Sequence, residues 1–160
     1  MWAKKTGTQL VMHLIGKRNG WAGEFNWQLA IDLDPTHYSP VLGLTFGSQV
    51  GGQNGFSTGS GIPDRWVHLT GVFASGSWIL YQDGDLLGSA SGPFVPDDFA
   101  NLTIGGSGFF EKFIGLLDDI RIYNRALTAS EVSQLYLQEA GNLDSDGDGL
   151  TDAWERVYVS

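Results

Sequence analysis

The 160-residue chain contains no cysteine, and only nine lysines and arginines stand against eighteen aspartates and glutamates. Without cysteine it has no disulfides and no thiolate metal sites. With a formal net charge of −9 and no basic cluster, it lacks the electrostatic footprint of a nucleic-acid or anionic-membrane partner. No apolar run is long enough for a transmembrane helix. The opening Met1-Trp2-Ala3-Lys4-Lys5 is not followed by the apolar stretch of a secretory signal. Signatures of catalysis are also missing. There is no serine nucleophile elbow, and no expected strand carries two glutamates for glycoside hydrolysis. The histidines His13, His37 and His68 are too scattered for a zinc site, and His68, beside Trp66, reads as a hydrogen-bonded structural residue.

What the chain has is glycine, 23 residues of it, punctuating short apolar runs in a sequence that is 42% hydrophobic with six tryptophans. That pattern predicts an all-β fold of many strands joined by turns, in one domain with a short appendage. Strands are expected over residues 8–15, 26–33 and 40–46. In the second of these Trp27, Leu29 and Ile31 share a face. Residues 47–61 read as a polar, glycine-rich loop. A three-strand meander follows over residues 66–73, 78–82 and 85–90, its second turn formed by Asp83-Gly84, a pair that tolerates positive φ. Residues 101–104 and 113–123 add two strands, the latter with Ile114, Leu116, Asp118, Ile120 and Ile122 on one face. Trp27, Trp66 and Trp78, and also Trp2, are expected in the core.

One helix is expected next. Thr128 and Glu131 form a capping box, and Leu127 and Val132 staple it. Val132, Leu135 and Tyr136 make its apolar stripe, and Gly141 is expected to end it as a left-handed cap. Beyond it lies DSDGDGLTDAWE, with five carboxylates in twelve residues and no basic residue. Carboxylates so crowded resist ionising together, and a divalent cation relieves them. The spacing is that of a calcium loop. Its ligands would be Asp144, Asp146, Asp148, the backbone carbonyl of Leu150, Asp152 and Glu155. Gly149 fills the sixth position, where the chain turns sharply. Gly141 interrupts the helix before the loop, and the loop is single, so a free-standing calcium repeat is expected rather than a paired EF-hand.

Residues 64–136 resemble a laminin-G-like domain of the concanavalin A-like jelly-roll class. The resemblance rests on Trp66-Val67-His68-Leu69, on the Asp83-Gly84 hairpin, and on the run from Gly115 through Leu-Leu-Asp-Asp-Ile-Arg-Ile-Tyr-Asn-Arg-Ala to Leu127 before the capped helix. The tail resembles a thrombospondin type 3 calcium repeat of the bacterial form. Together these imply two units, a jelly-roll sandwich over residues 1–139 and a calcium repeat over 140–160. The family's opening strand or strands are absent, which leaves an unpaired sheet edge. A fragment, self-coverage of the edge, or strand donation by another chain would each account for it.

The resemblance implies a non-catalytic, calcium-binding recognition or adhesion module, extracellular or at the cell surface, within a longer secreted bacterial protein. Glycans are the leading ligand class, with a cell-surface or matrix protein as the other partner. The rival expectation is a structural subunit, a homo-oligomer or filament joined through the open edge. A glycoside hydrolase ranks below both. The resemblance also implies a second calcium at Asp118 or Asp119. Against it stands the simpler expectation that the two order their loop through backbone N–H groups, Arg121 or Arg125. Trp21, within Gly20-Trp21-Ala22-Gly23, is the tryptophan placed for a sugar ring to stack on.

Overall fold

The computed structural model describes residues 1–18, 25–34, 42–48, 54–94, 96, 100–106, 111–142, 144, 149–151, 154 and 158. Its strands are β1 (Trp2–Lys5), β2 (Val11–Arg18), β3 (Phe25–Asp32), β4 (Gly43–Ser48), β5 (Asn54–Ser57), β6 (Trp66–Ala74), β7 (Ser77–Gln82), β8 (Asp85–Ser91), β9 (Asn101–Ile104) and β10 (Gly115–Asp118). One helix, α1 (Ala129–Glu139), follows. The strands form two five-stranded sheets, ordered β10-β1-β6-β7-β8 and β5-β4-β3-β2-β9. All their pairings are antiparallel. This is the expected jelly-roll sandwich.

Side-chain alternation builds the core. Leu29 and Ile31 of β3 and Leu44 and Phe46 of β4 face Val67, Leu69, Trp78 and Leu80 of the first sheet. The Trp78 ring joins the layers, lying edge-on to Phe46 at 5.2 Å and tilted against Phe73 at 4.6 Å. As expected, Trp2 is buried too, while Trp27 and Trp66 are partly buried against apolar clusters.

Helix α1 lies on the outer face of the first sheet. Val132 packs with Val72 and Tyr81, and Tyr136 with Trp2. Its capping box is complete: Glu131 N–H donates to Thr128 Oγ1, and Thr128 N–H donates to Glu131 Oε2. Arg125 donates twice to the Glu131 carboxylate and holds it down near a pKa of about 2. Gly141 is not the left-handed cap expected. The helix tightens into a 3₁₀ turn over Ala140–Asn142, capped by Ala140 in right-handed helical geometry. Ala140 is fully buried beside Trp2, and that packing holds the turn.

Other expectations also change. Residues 47–61 are not all loop, because they contain β5. Its backbone approaches β4 so closely that a Cβ on Gly47 would lie 2.1 Å from the Asn54 carbonyl oxygen. The strand expected over 113–123 stops at Asp118. Asp119 takes φ +44° and resets the alternation, so Leu117 and Ile120, three apart, both pack on the core while Leu116 is exposed. β1 was not anticipated, and it sits inside the first sheet between β10 and β6. His68 is buried, but neither ring nitrogen makes a hydrogen bond. Its Nε2 lies 3.4 Å from Glu139 Oε2, and burial first, then nearby positive charge, pushes its pKa down to about 3.

Candidate functional site

The outer face of the second sheet has the opposite chemistry to its core face. Directly paired residues on neighbouring strands share a face. One row across the sheet runs Thr103, Gly16, Gln28, Gly47 and Gly55; the next runs His13, Ala30, Thr45 and Ser57. Each alternates with core residues such as Leu29 and Phe46 along its own strand. The face therefore intersperses polar side chains, Gln28 on the central strand among them, with glycine and alanine. Gly16 is required there: a Cβ would meet the Trp27 carbonyl oxygen at 2.6 Å and the Gln28 Cα at 2.8 Å.

Buried polar groups support this face. Arg18, at the end of β2, pairs with Glu111, both nearly enclosed. His13 is fully buried, with Nε2 3.0 Å from Thr103 Oγ1 and no hydrogen bond at Nδ1. Burial lowers its pKa and keeps the ring neutral; the Thr103 contact only partly opposes this. Gln28 is placed beside His13, and its side chain also opposes that lowering. Thr103 Oγ1 donates to the Gly16 carbonyl and Thr45 Oγ1 to the Ala30 carbonyl, so both hydroxyl oxygens keep lone pairs. Gln28, Thr45, Ser57 and Thr103 are half-buried. Gln28, Thr45, Ser57 and Thr103 keep part of their surface exposed and can hydrogen-bond a hydroxyl-rich ligand.

Sequence reasoning missed this constellation. His13 and Arg18 share β2, but their partners Thr103 and Glu111 are distant in sequence and reach them only through the β2–β9 pairing and the bond from His13 N–H to the Glu111 carbonyl. Half the signal was visible, since the Trp27-Leu29-Ile31 stripe has a polar complement in Asn26, Gln28 and Asp32.

The residues singled out from sequence lie elsewhere. Asp118 and Asp119 are exposed at the end of β10. Asp119 N–H donates to Asp118 Oδ1 at 2.8 Å, and Asp119 stands 3.6 Å from Arg121. Among the described residues no group of three or more carboxylates and histidines gathers as a metal site. In the tail, Gly149 adopts φ +94° and its N–H donates to Asp144 Oδ2 at 3.0 Å. Leu150 is partly exposed. Asp146, Asp148, Asp152, Glu155 and Trp21 lie outside the described residues.

Sandwich, topology and face together define a lectin-like jelly roll, and comparison with known proteins agrees. The family model of the concanavalin A-like lectin/glucanases superfamily, laminin-G type, matches residues 1–133, and the chain belongs to that family. Adhesion G-protein coupled receptor V1 of Danio rerio is 26% identical over 133 residues, covering 79% of this chain but 2% of the receptor. Domain 4 of AbnA, a GH43 extracellular arabinanase from Geobacillus stearothermophilus solved with arabinotriose, is 25% identical. It aligns over 84% of this chain and 63% of that one, with a TM-score of 0.64. Trypanosoma rangeli sialidase shares the fold at 18% identity and a TM-score of 0.58, over 86% of this chain and 22% of the sialidase. No helix among the described residues is long and apolar enough to cross a membrane.

Proposed function

We propose that the chain is a non-catalytic glycan-binding module of an extracellular or cell-surface protein, stiffened by calcium at its C-terminal end. The observation that carries this is the outer face of the second sheet, where Gln28, Thr45, Ser57 and Thr103 alternate across the strands with Gly16, Ala30, Gly47 and Gly55. A sugar presents many hydroxyls, and the amide and hydroxyl groups spread over this face can pair with them. The likeness to an arabinanase domain solved with arabinotriose supports the ligand class.

Two observations support a binding role over hydrolysis. Glycoside hydrolysis needs an acid and a base or nucleophile free to flank the bond. Here Glu111 is held by Arg18, and Asp32 accepts the Asp34 N–H at 3.0 Å. Calcium would be held by Asp144, Asp146, Asp148, the Leu150 carbonyl, Asp152 and Glu155. The Asp144–Gly149 hydrogen bond and the positive φ of Gly149 fit the tight turn such a loop needs. The ion would neutralise the crowded carboxylates and order the tail.

The test is a glycan array with arabino-oligosaccharides included, read in calcium, followed by titration of the retained sugar. Gln28→Ala should weaken binding by about tenfold, the worth of one hydrogen bond to ligand, with the fold intact. Retention of no glycan, or unchanged affinity in that variant, would remove this reading.

A further inference from the structure

On the basis of the glycan-binding role proposed for it, we infer that the outer face of the second sheet accepts hydrogen bonds through its hydroxyls and so selects neutral sugars over sugars carrying carboxylate or sulfate. The selection stands only if that role does. A hydroxyl has one proton and two lone pairs. A carbonyl oxygen can only accept, so a hydroxyl bonded to one has committed its proton. Thr45 Oγ1 donates to the Ala30 carbonyl at 3.2 Å, and Ser57 Oγ donates to the Leu42 carbonyl. Thr103 Oγ1 lies 3.3 Å from the Gly16 carbonyl oxygen and 3.0 Å from His13 Nε2. If Nε2 carries the ring proton, the Thr103 proton turns to Gly16; if Nε2 is bare, the proton turns to the ring. Either tautomer draws it into the sheet. The protons of all three hydroxyls are therefore held by the protein, and Thr45 and Thr103 each keep a lone pair for an incoming donor.

Sugar hydroxyls can donate and fit such a surface. Carboxylate and sulfate oxygens carry no proton at neutral pH and meet it lone pair against lone pair. A cation could offset that repulsion, but the strands of this face offer none. Residues 19–64 and 66–111 contain no lysine or arginine, so β3, β4, β5 and β9 have no basic side chain. On β2, Lys17 pairs across with Trp27 and Leu102 and shares their face, on the core side of the sheet. Arg18 is held by Glu111, with side chains only 7% and 11% exposed. Lys112, bridged to His13 at the sheet margin, is exposed, and an exposed ammonium pairs only weakly in water. The Gln28 amide can donate, but it carries no charge. An anion laid on this face would lose water and gain no charged partner within it.

The experiment prints each neutral oligosaccharide, arabinotriose among them, beside altered forms of itself, and titrates the whole chain against every form retained. In the sulfated forms an anionic acceptor replaces a hydroxyl. In the deoxyfluoro forms, made at each ring hydroxyl in turn, a fluorine of similar size replaces it and brings no proton. The expected result is retention of a neutral sugar, with binding weakened about tenfold or more by sulfation and by fluorine at one or more positions. Its affinity should be unchanged between about 50 and about 500 mM NaCl. Equal or tighter binding of the sulfated form, lost in high salt, would overturn the exclusion of anions and leave the glycan-binding role standing. Deoxyfluoro forms that all bind as well as the parent would overturn the acceptor face. Retention of no sugar would remove the glycan-binding role and the selection with it. Thr45→Val keeps the side-chain shape and removes the oxygen. It should weaken the parent sugar by about tenfold and leave one deoxyfluoro form binding as it does to the unaltered chain. Equal loss for every form would overturn Thr45 as an acceptor.

Discussion

The two sheets share a core but treat their outer faces in opposite ways. The first sheet is apolar outside as well as inside: Trp2, Val72 and Tyr81 lie under Val132, Tyr136 and Ala140 of the C-terminal helix region. The second sheet is polar outside, with Gln28, Thr45 and Thr103 on a glycine floor and the Arg18–Glu111 pair beside it. The difference separates stability from function. The apolar face is buried under the helix, while the polar face holds its groups through hydrogen bonds and the Arg18–Glu111 pair.

Trp78 is the point the two sheets have in common, so Trp78→Ala should damage both. The expected cost is about 3–5 kcal/mol, with a single cooperative transition in urea shifted to lower concentration. Separate transitions for probes on the two sheets would show that the faces fold independently and would break the comparison.

Arg18→Met tests the polar face alone. It strands a buried Glu111 and should cost about 3–5 kcal/mol, whereas the double variant Arg18→Met with Glu111→Leu should recover most of that loss. Equal damage in single and double variants would mean the pair contributes more than mutual neutralisation.

His68 tests the covered face by pH. Its folded pKa, about 3, lies below the usual histidine value, so below pH about 6.5 the unfolded chain binds the extra proton. Stability is thus fully present above about pH 6.5 and is lost as pH falls toward about 3. The urea midpoint should drop between about pH 7 and about pH 4, and His68→Phe should flatten that dependence. His13, also depressed, should leave a smaller residual slope.

Thr128→Ala is the mildest probe. It removes the side-chain half of the capping box and should cost about 1 kcal/mol, loosening the cover without touching the outer face of the second sheet. Helical circular dichroism and glycan affinity, measured together, check that separation.

Much of this was legible in sequence because it is local. Alternation located β3, β4, β6 and β7, and the Asp83-Gly84 turn follows from backbone sterics, with Asp83 at φ +52° and Gly84 at φ +79°. The capping box needs only the spacing of Thr128 and Glu131. Gly149 takes the positive φ its place in the acidic loop demands. What failed was also local in origin: a positive φ at Asp119 is invisible to a periodicity count, and β5 lacks any apolar pattern because two of its four residues are Gly55 and Asn54.

The sequence by itself determined the class of fold, the core face of the strands and the helix start, since these depend on neighbours a few residues apart. Only the tertiary structure decided that His13, Arg18, Thr103 and Glu111 meet, that the helix packs on the first sheet, and that β1 sits between β10 and β6. Those facts depend on strand order and register, which set contacts between residues dozens of positions apart and leave no periodic trace in the chain.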